Sequence, residues 1–146
     1  MMVVGYVAVR EDARGSGLGP RLRRGLRRKC DADARHVGHS HLKAVIGEVH
    51  ATNPWLRSLV HREGAIALDF DYYQPTLGGG RPPVALVLYY QPLGAARRSL
   101  PVPELRRLLY SMWRRAYRVP QPLGRPAFRR MLRSLEGRRR VGQRAL

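Results

Sequence analysis

The chain is poor in cysteine, lysine and acid, and each shortage narrows what it can be. Cys30 is the sole cysteine in 146 residues. An intramolecular disulfide and a four-cysteine zinc site are therefore excluded, and a reducing, cytoplasmic setting fits best. Lys29 and Lys43 are the only lysines, and 10 Asp and Glu stand against 28 Lys and Arg, so the formal charge of +18 is almost entirely arginine. A field of that sign attracts nucleic acid, anionic membrane surfaces and phosphorylated small molecules alike, and says nothing about fold. Long apolar runs are missing too. The first, Met1–Val9, has neither the basic start nor the small-residue cleavage site of a secretory signal, and Arg10-Glu11 end it far short of a bilayer span.

What is present is periodic. Apolar residues make up 44% of the chain and recur in patterned segments, which excludes general disorder up to about Tyr117, and the length suits one domain with one core. Val3, Val4, Tyr6, Val7 and Val9 predict a strand, and Gly15–Gly19 open a helix in which Leu18, Leu22, Leu26 and Cys30 form a narrow stripe among arginines. A second strand is expected over Leu42–Val49, then a helix capped at Thr52 or Asn53, with Pro54 in its first turn and Gly64 ending it. Strands over Ala65–Tyr72 and Val84–Tyr90 flank a Gly/Pro-rich loop. Beyond Pro92, Leu105, Leu108, Leu109, Met112, Trp113 and Ala116 predict a helix whose apolar stripe docks on the exposed sheet or a second subunit. Phe128, Met131, Leu132 and Leu135 predict another helix.

The expected class is α+β with a mixed sheet of about four strands: a parallel pair joined by a crossover, followed by an antiparallel hairpin. Three segments are expected: a domain over 1–94, a helical extension over 95–137 and a disordered basic tail over 138–146.

Arg14-Gly15-Ser16-Gly17-Leu18-Gly19 lies between a strand and a helix, where backbone N–H groups at the positive end of a helix dipole suit a pyrophosphate. It is neither a P-loop nor a Gly-x-Gly-x-x-Gly turn. It resembles the acetyl-CoA signature of GNAT-type N-acetyltransferases, Arg/Gln-x-x-Gly-x-Gly/Ala, through Arg14, Gly17 and Gly19, with Val9 five residues ahead of the arginine. The family segment Asn-x-x-Ala-x-x-Leu-Tyr-x-x-x-Gly-Phe aligns with Asn53–Ala65, matching at Asn53, Leu59 and Gly64. Tyr72-Tyr73-Gln74-Pro75 resembles a bacterial branch of the family whose strand ends Tyr-x-Gln-Pro.

The resemblance covers Val3 to Gln91 and implies a partial acyl-CoA N-acyltransferase fold with a splayed parallel pair. It implies that the amides of Gly15, Ser16, Gly17, Leu18 and Gly19 wrap the pyrophosphate of acetyl-CoA, that the backbone of Val7, Ala8 and Val9 pairs with the pantetheine arm, and that Arg14 and Asn53 belong to the same site. Tyr72 or Tyr73 then faces the acyl-transfer region. Val60 stands where many members carry the tyrosine that protonates the leaving thiolate, and it has no proton to give. Family segments that carry much of the acceptor pocket normally precede the signature, so the first strand is expected to be covered by another copy, a partner chain or an upstream segment.

Glu48, ending the second strand, is the candidate base for a small-molecule or protein amine, since burial raises a carboxyl pKa; His50 is the alternative on the same strand face. His36, His39 and His41 have no carboxylate or thiol at ligand spacing and read as loop histidines. The resulting expectation is an N-acetyltransferase acting by direct transfer. The alternative is a catalytically inactive module binding nucleic acid or a protein through its arginines.

Overall fold

β-Branched and aromatic runs between polar breaks give the sheet its strands. The computed structural model describes residues 1–5, 8–76 and 82–146. Strands β1 (Met2–Val4), β2 (Ala44–Val49), β3 (Ile66–Ala67), β4 (Tyr72–Gln74) and β5 (Val84–Pro92) form one mixed sheet in the order β1-β2-β5-β3, with β4 on the same edge of β5 as β3. β1 runs parallel to β2, and every β5 pairing is antiparallel. A parallel pair needs a crossover, and helix α1 (Leu18–His36) supplies it. Helix α2 (Pro54–Glu63) starts at Asn53, whose side chain accepts from the Trp55 amide at 3.0 Å, and ends at a left-handed Gly64.

The period of two sorts the strands onto two faces. Val45, Val49, Val87 and Tyr89 meet Leu56 and Leu59 of α2 on one face. Ala44, Ile46, Leu88 and Tyr90 face the other way, toward the C-terminal third of the chain. There α3 (Val102–Ser111) runs into a π-helical turn over Met112–Ala116, and α4 (Pro126–Arg133) follows. Leu105, Leu109, Trp113, Phe128 and Met131 pack into the same core as Ile46 and Leu88, so the segment expected as an extension forms one face of the domain. No helix among the described residues is long and apolar enough to cross a membrane.

Four expectations change. The first strand is shorter than expected among the described residues: its last pairing there is Val4 with Gly47, Tyr6 and Val7 lie outside them, and Ala8 and Val9 are not in a strand. The predicted third strand is split. Leu68 still bonds Leu88, but Tyr72 pairs with Leu86, so four steps of one strand face two of the other. The extra residues leave β5 as a bulge with Phe70 turned into the core, and the Asp69 amide donates to the Gly142 carbonyl. The tail expected to be disordered is ordered: β7 (Arg140–Gly142) pairs with β6 (Ser99–Pro101), and Gln143 and Arg144 bond the backbone of Ala67. Val141, its apolar residue among arginines, is fully buried and anchors it.

The fourth concerns α1, which buries no residue. Leu18, Leu22 and Leu26 are 47%, 45% and 39% exposed, so the stripe does not seat the helix. Polar contacts do. Arg23 grips Glu63 through two bonds of 2.6 and 2.9 Å and lies over the Trp55 ring, while Asp31 accepts from the Leu42 amide at 2.7 Å.

Candidate functional site

Glu48 sits on the first β2 residue past the last one paired with β1. Alternation with Ile46 turns its side chain toward the C-terminal helices. Three groups converge on the carboxylate: the Tyr72 hydroxyl donates to Oε1, the Tyr117 hydroxyl to Oε2 at 2.6 Å, and Gln74 Nε2 to Oε2 at 2.8 Å. Gln74 Nε2 also reaches the Tyr117 oxygen at 3.2 Å. The bulge after Leu68 brings Tyr72 within reach, since it moves the strand past Glu48's own cross-strand partner, Leu88.

The charge at this site is unusual for so basic a chain. Other carboxylates take cations: Glu63 takes Arg23, Glu104 takes Arg97, Asp69 takes Arg138 and Asp31 takes Arg35. Among the described residues no salt bridge reaches Glu48. Burial lifts its carboxyl above the usual range, opposed by the bonds from Tyr117, Tyr72 and Gln74. Desolvation and the neighbouring carboxylate in turn push both tyrosine hydroxyls well above their ordinary value. A half-buried carboxylate held by neutral donors and lacking a cation suits an incoming ammonium group, from which it can take a proton.

The glycine-rich turn lies in the crossover between β1 and α1. After the 3-10 turn Glu11–Ala13, Gly15 and Gly17 take left-handed φ values of 82° and 75°, and Gly17 caps α1. Side chains rarely adopt such angles, so glycine is required at both positions. Ser16 Oγ donates to the Ala13 carbonyl at 2.6 Å and Arg14 Nε to the Val9 carbonyl at 3.4 Å, tying the turn to itself. Among the described residues, the amides of Gly15, Ser16 and Gly17 donate to no backbone carbonyl, so they are free to bind an anion at the positive end of a 19-residue helix. Leu18 and Gly19 add the first helical amides, and Gly19 lies close against Val9, where a Cβ would meet Cγ2 at 3.7 Å. A cavity of about 330 Å³ opens between Met2, Val4 and Val45 of the sheet and Pro20, Arg23 and Arg24 of α1.

The structure thus joins Glu48 with Tyr72, and Val9 with Arg14 and Gly19, and among the described residues it places no contact on Ala8. Tyr73 stands apart from Glu48: its ring lies under Arg130 at 5.1 Å and its amide donates to Met131 Sδ at 3.3 Å, so it packs on α4 at the edge of the same core. Asn53 has its side-chain oxygen engaged in capping α2. Val7 lies outside the described residues, as does the glycine run Gly78–Gly80 of the Gly/Pro loop. His50 is exposed beyond the end of β2, and Val60 packs against the α2-side core. Tyr117 is the residue that sequence reasoning missed. Its only local signal was the Tyr-Arg-Val-Pro end of an apolar helix, which says nothing of a carboxylate 69 positions away. No family model, curated protein or solved structure matches the chain.

Proposed function

We propose that the chain is a GNAT-type acyl-CoA N-acyltransferase that passes an acetyl group from acetyl-CoA directly to an amine. One observation carries the reading: in the crossover from β1 to β2, a turn with two left-handed glycines and unengaged amides opens a long helix. Anion binding at the turn sets the pyrophosphate, and the gap past Val4 and Gly47 leaves backbone free to pair with an extended pantetheine arm. Arg14 and the arginines of α1 supply the countercharge.

Glu48 supplies the base at that same gap. The ammonium loses its proton to the carboxylate, and the free amine attacks the thioester carbonyl carbon. A C–N bond forms, the C–S bond breaks with its electron pair on sulfur, and the proton that the attacking nitrogen sheds in becoming an amide passes to that thiolate. A backbone N–H near Ala8–Val9 polarises the carbonyl as charge develops on its oxygen. The acceptor is a primary amine presented from the side of the sheet bearing Tyr72 and Tyr117.

Titration calorimetry with acetyl-CoA at two salt concentrations tests the cofactor site without a known acceptor. Saturable one-site binding is expected, lost in an Arg14→Ala/Gly17→Val double variant that stays folded. Absence of binding by the folded wild type refutes the reading.

A second reading draws on the arginine face of α1. A larger cavity of about 600 Å³, where Arg27, Arg28, Arg35 and His41 stand against Asp31 and Glu63, adjoins the first and shares Arg27, Glu63 and Gln91 with it. A catalytically inactive module would use that trough for a polyanion such as nucleic acid. Its affinity would then fall steeply with salt, by roughly 10³–10⁵-fold from 50 to 200 mM for six to ten phosphate contacts.

A further inference from the structure

We infer that Tyr117 is a positioning residue for the Glu48 carboxylate, so that the C-terminal third of the chain completes the site. The inference rests on Glu48 being the base of the proposed transfer, and it assigns a role to a segment that the family resemblance does not cover. Three locally unfavourable features crowd around this one tyrosine. The helix that delivers it abandons α geometry for a π turn over Met112–Ala116, with the Tyr117 amide bonding back five residues to the Met112 carbonyl at 3.0 Å. Single π turns inside α-helices recur at functional sites because they rotate the residues that follow.

The next residue, Arg118, has φ 54°, the one positive φ outside glycine among the described residues. Arginine has no intrinsic reason to be left-handed, and such strain persists only where the surroundings enforce it. Trp113, in the same turn, is buried with its Nε1 facing the Tyr72 hydroxyl, short of a well-formed hydrogen bond. The left-handed Arg118 also ends the helix, since the Val119 amide closes on the Trp113 carbonyl at 2.9 Å and Val119 enters the core. A regular helix would keep Met112 and Trp113 in the core but turn Tyr117 away from Glu48. The arrangement instead delivers a hydroxyl to Oε2 at 2.6 Å, opposite the hydroxyl of Tyr72 on Oε1.

With Gln74 as the third donor, the two oxygens of Glu48 are held from β4 and from the π turn. The groups facing the carboxylate are Tyr72, Gln74 and Tyr117, and no cation bridges to it among the described residues. Tyr117 is half-buried, so it stands between this carboxylate and solvent. Its hydroxyl favours the ionised form that accepts a proton from the amine.

The test is the Tyr117→Phe variant of the full chain, which keeps the ring and removes only the hydroxyl. The carboxyl carbon of Glu48 is followed by NMR across pH in the wild type, in the variant and in a Tyr110→Phe control. The Glu48 midpoint should move to higher pH in Tyr117→Phe and stay in place in the control. An unchanged midpoint in Tyr117→Phe overturns the inference. With an amine acceptor in hand, kcat should fall roughly tenfold at neutral pH, within the about 10²–10⁴-fold that a positioned base supplies, while KM for acetyl-CoA holds. The titration needs no acetyl-CoA. A shifted midpoint in a chain that fails to bind acetyl-CoA would sink the acyltransferase reading and leave the Tyr117–Glu48 linkage standing; binding with an unshifted midpoint would do the reverse.

Discussion

Replacing Gly47 by alanine perturbs the point at which β1 and β2 part, and the structure gives the size of the effect. A Cβ on Gly47 would stand 2.6 Å from Oη, 2.7 Å from Cζ and 2.8 Å from Cε1 of Tyr89. Ordinary contact begins near 3.4 Å, so the ring has to retreat by about 0.6–0.8 Å against its neighbours. It has little room. Tyr89 is 2% exposed, its hydroxyl pKa is pushed up to about 12 chiefly by burial, and the Trp55 ring meets it edge-on with centroids 5.8 Å apart. Overpacking of this kind costs about 1–3 kcal/mol, partly offset by the roughly 0.5–1 kcal/mol that alanine gains over glycine in a strand. The net loss is about 1–2 kcal/mol, which lowers Tm by about 3–6 °C at this chain length. Thermal unfolding followed by circular dichroism reads it directly. In a Tyr89→Leu background the same substitution should be neutral or stabilising, because the obstructing ring is gone. A Gly47→Ala protein as stable as the wild type would refute the close approach of Tyr89 beneath the strand.

Three further outcomes are expected. Burial makes the folded protein hold the Glu48 proton more tightly than the unfolded chain, with its value of about 4.5, so this group's contribution to stability is greatest below that value and is lost as pH rises through the folded one. Glu48→Gln removes that decline, and its advantage over the wild type in urea unfolding should widen from about pH 4 to about pH 8; a constant difference would contradict the buried, uncompensated carboxylate. Arg23→Ala removes the two-pronged grip on Glu63 and the cover over Trp55, and hydrogen exchange over residues 18–36 should quicken roughly fivefold, for about 1 kcal/mol lost at a partly exposed pair; unchanged exchange would mean that the helix is held by something else. Val141→Ala should cost about 1–2 kcal/mol by chemical denaturation, as expected for a fully buried branched side chain, whereas a freely moving tail would show no loss.

Much of the sheet was legible because its signals are local. Ala44–Val49 and Val84–Pro92 alternate or run apolar over enough residues to set their type, and Asn53, Pro54 and Gly64 mark α2 through capping chemistry that acts within one turn. The left-handed glycines of the turn before α1 follow from Gly-x-Gly alone. Glu48 was singled out from its strand position and Tyr72 through the family resemblance, and the structure brings them together. The periodic stripe on α1 misled: period shows which residues share a face, and only the neighbouring elements determine whether that face is covered. Tyr73 was an equal choice with Tyr72 until pairing with β5 set which of two adjacent residues reaches Glu48.

By itself, then, the sequence determined the strands, the caps, the glycine turn and the basic character, all properties of residues within a few positions of one another. Tertiary structure alone decided the rest. It ordered the arginine-rich tail by giving Val141 a core to enter, and it split the third strand by offering Asp69 a partner in Gly142. It also joined Tyr117 to Glu48 across 69 residues. A hydrogen bond between distant segments depends on where packing carries each backbone, and neither segment encodes that position on its own.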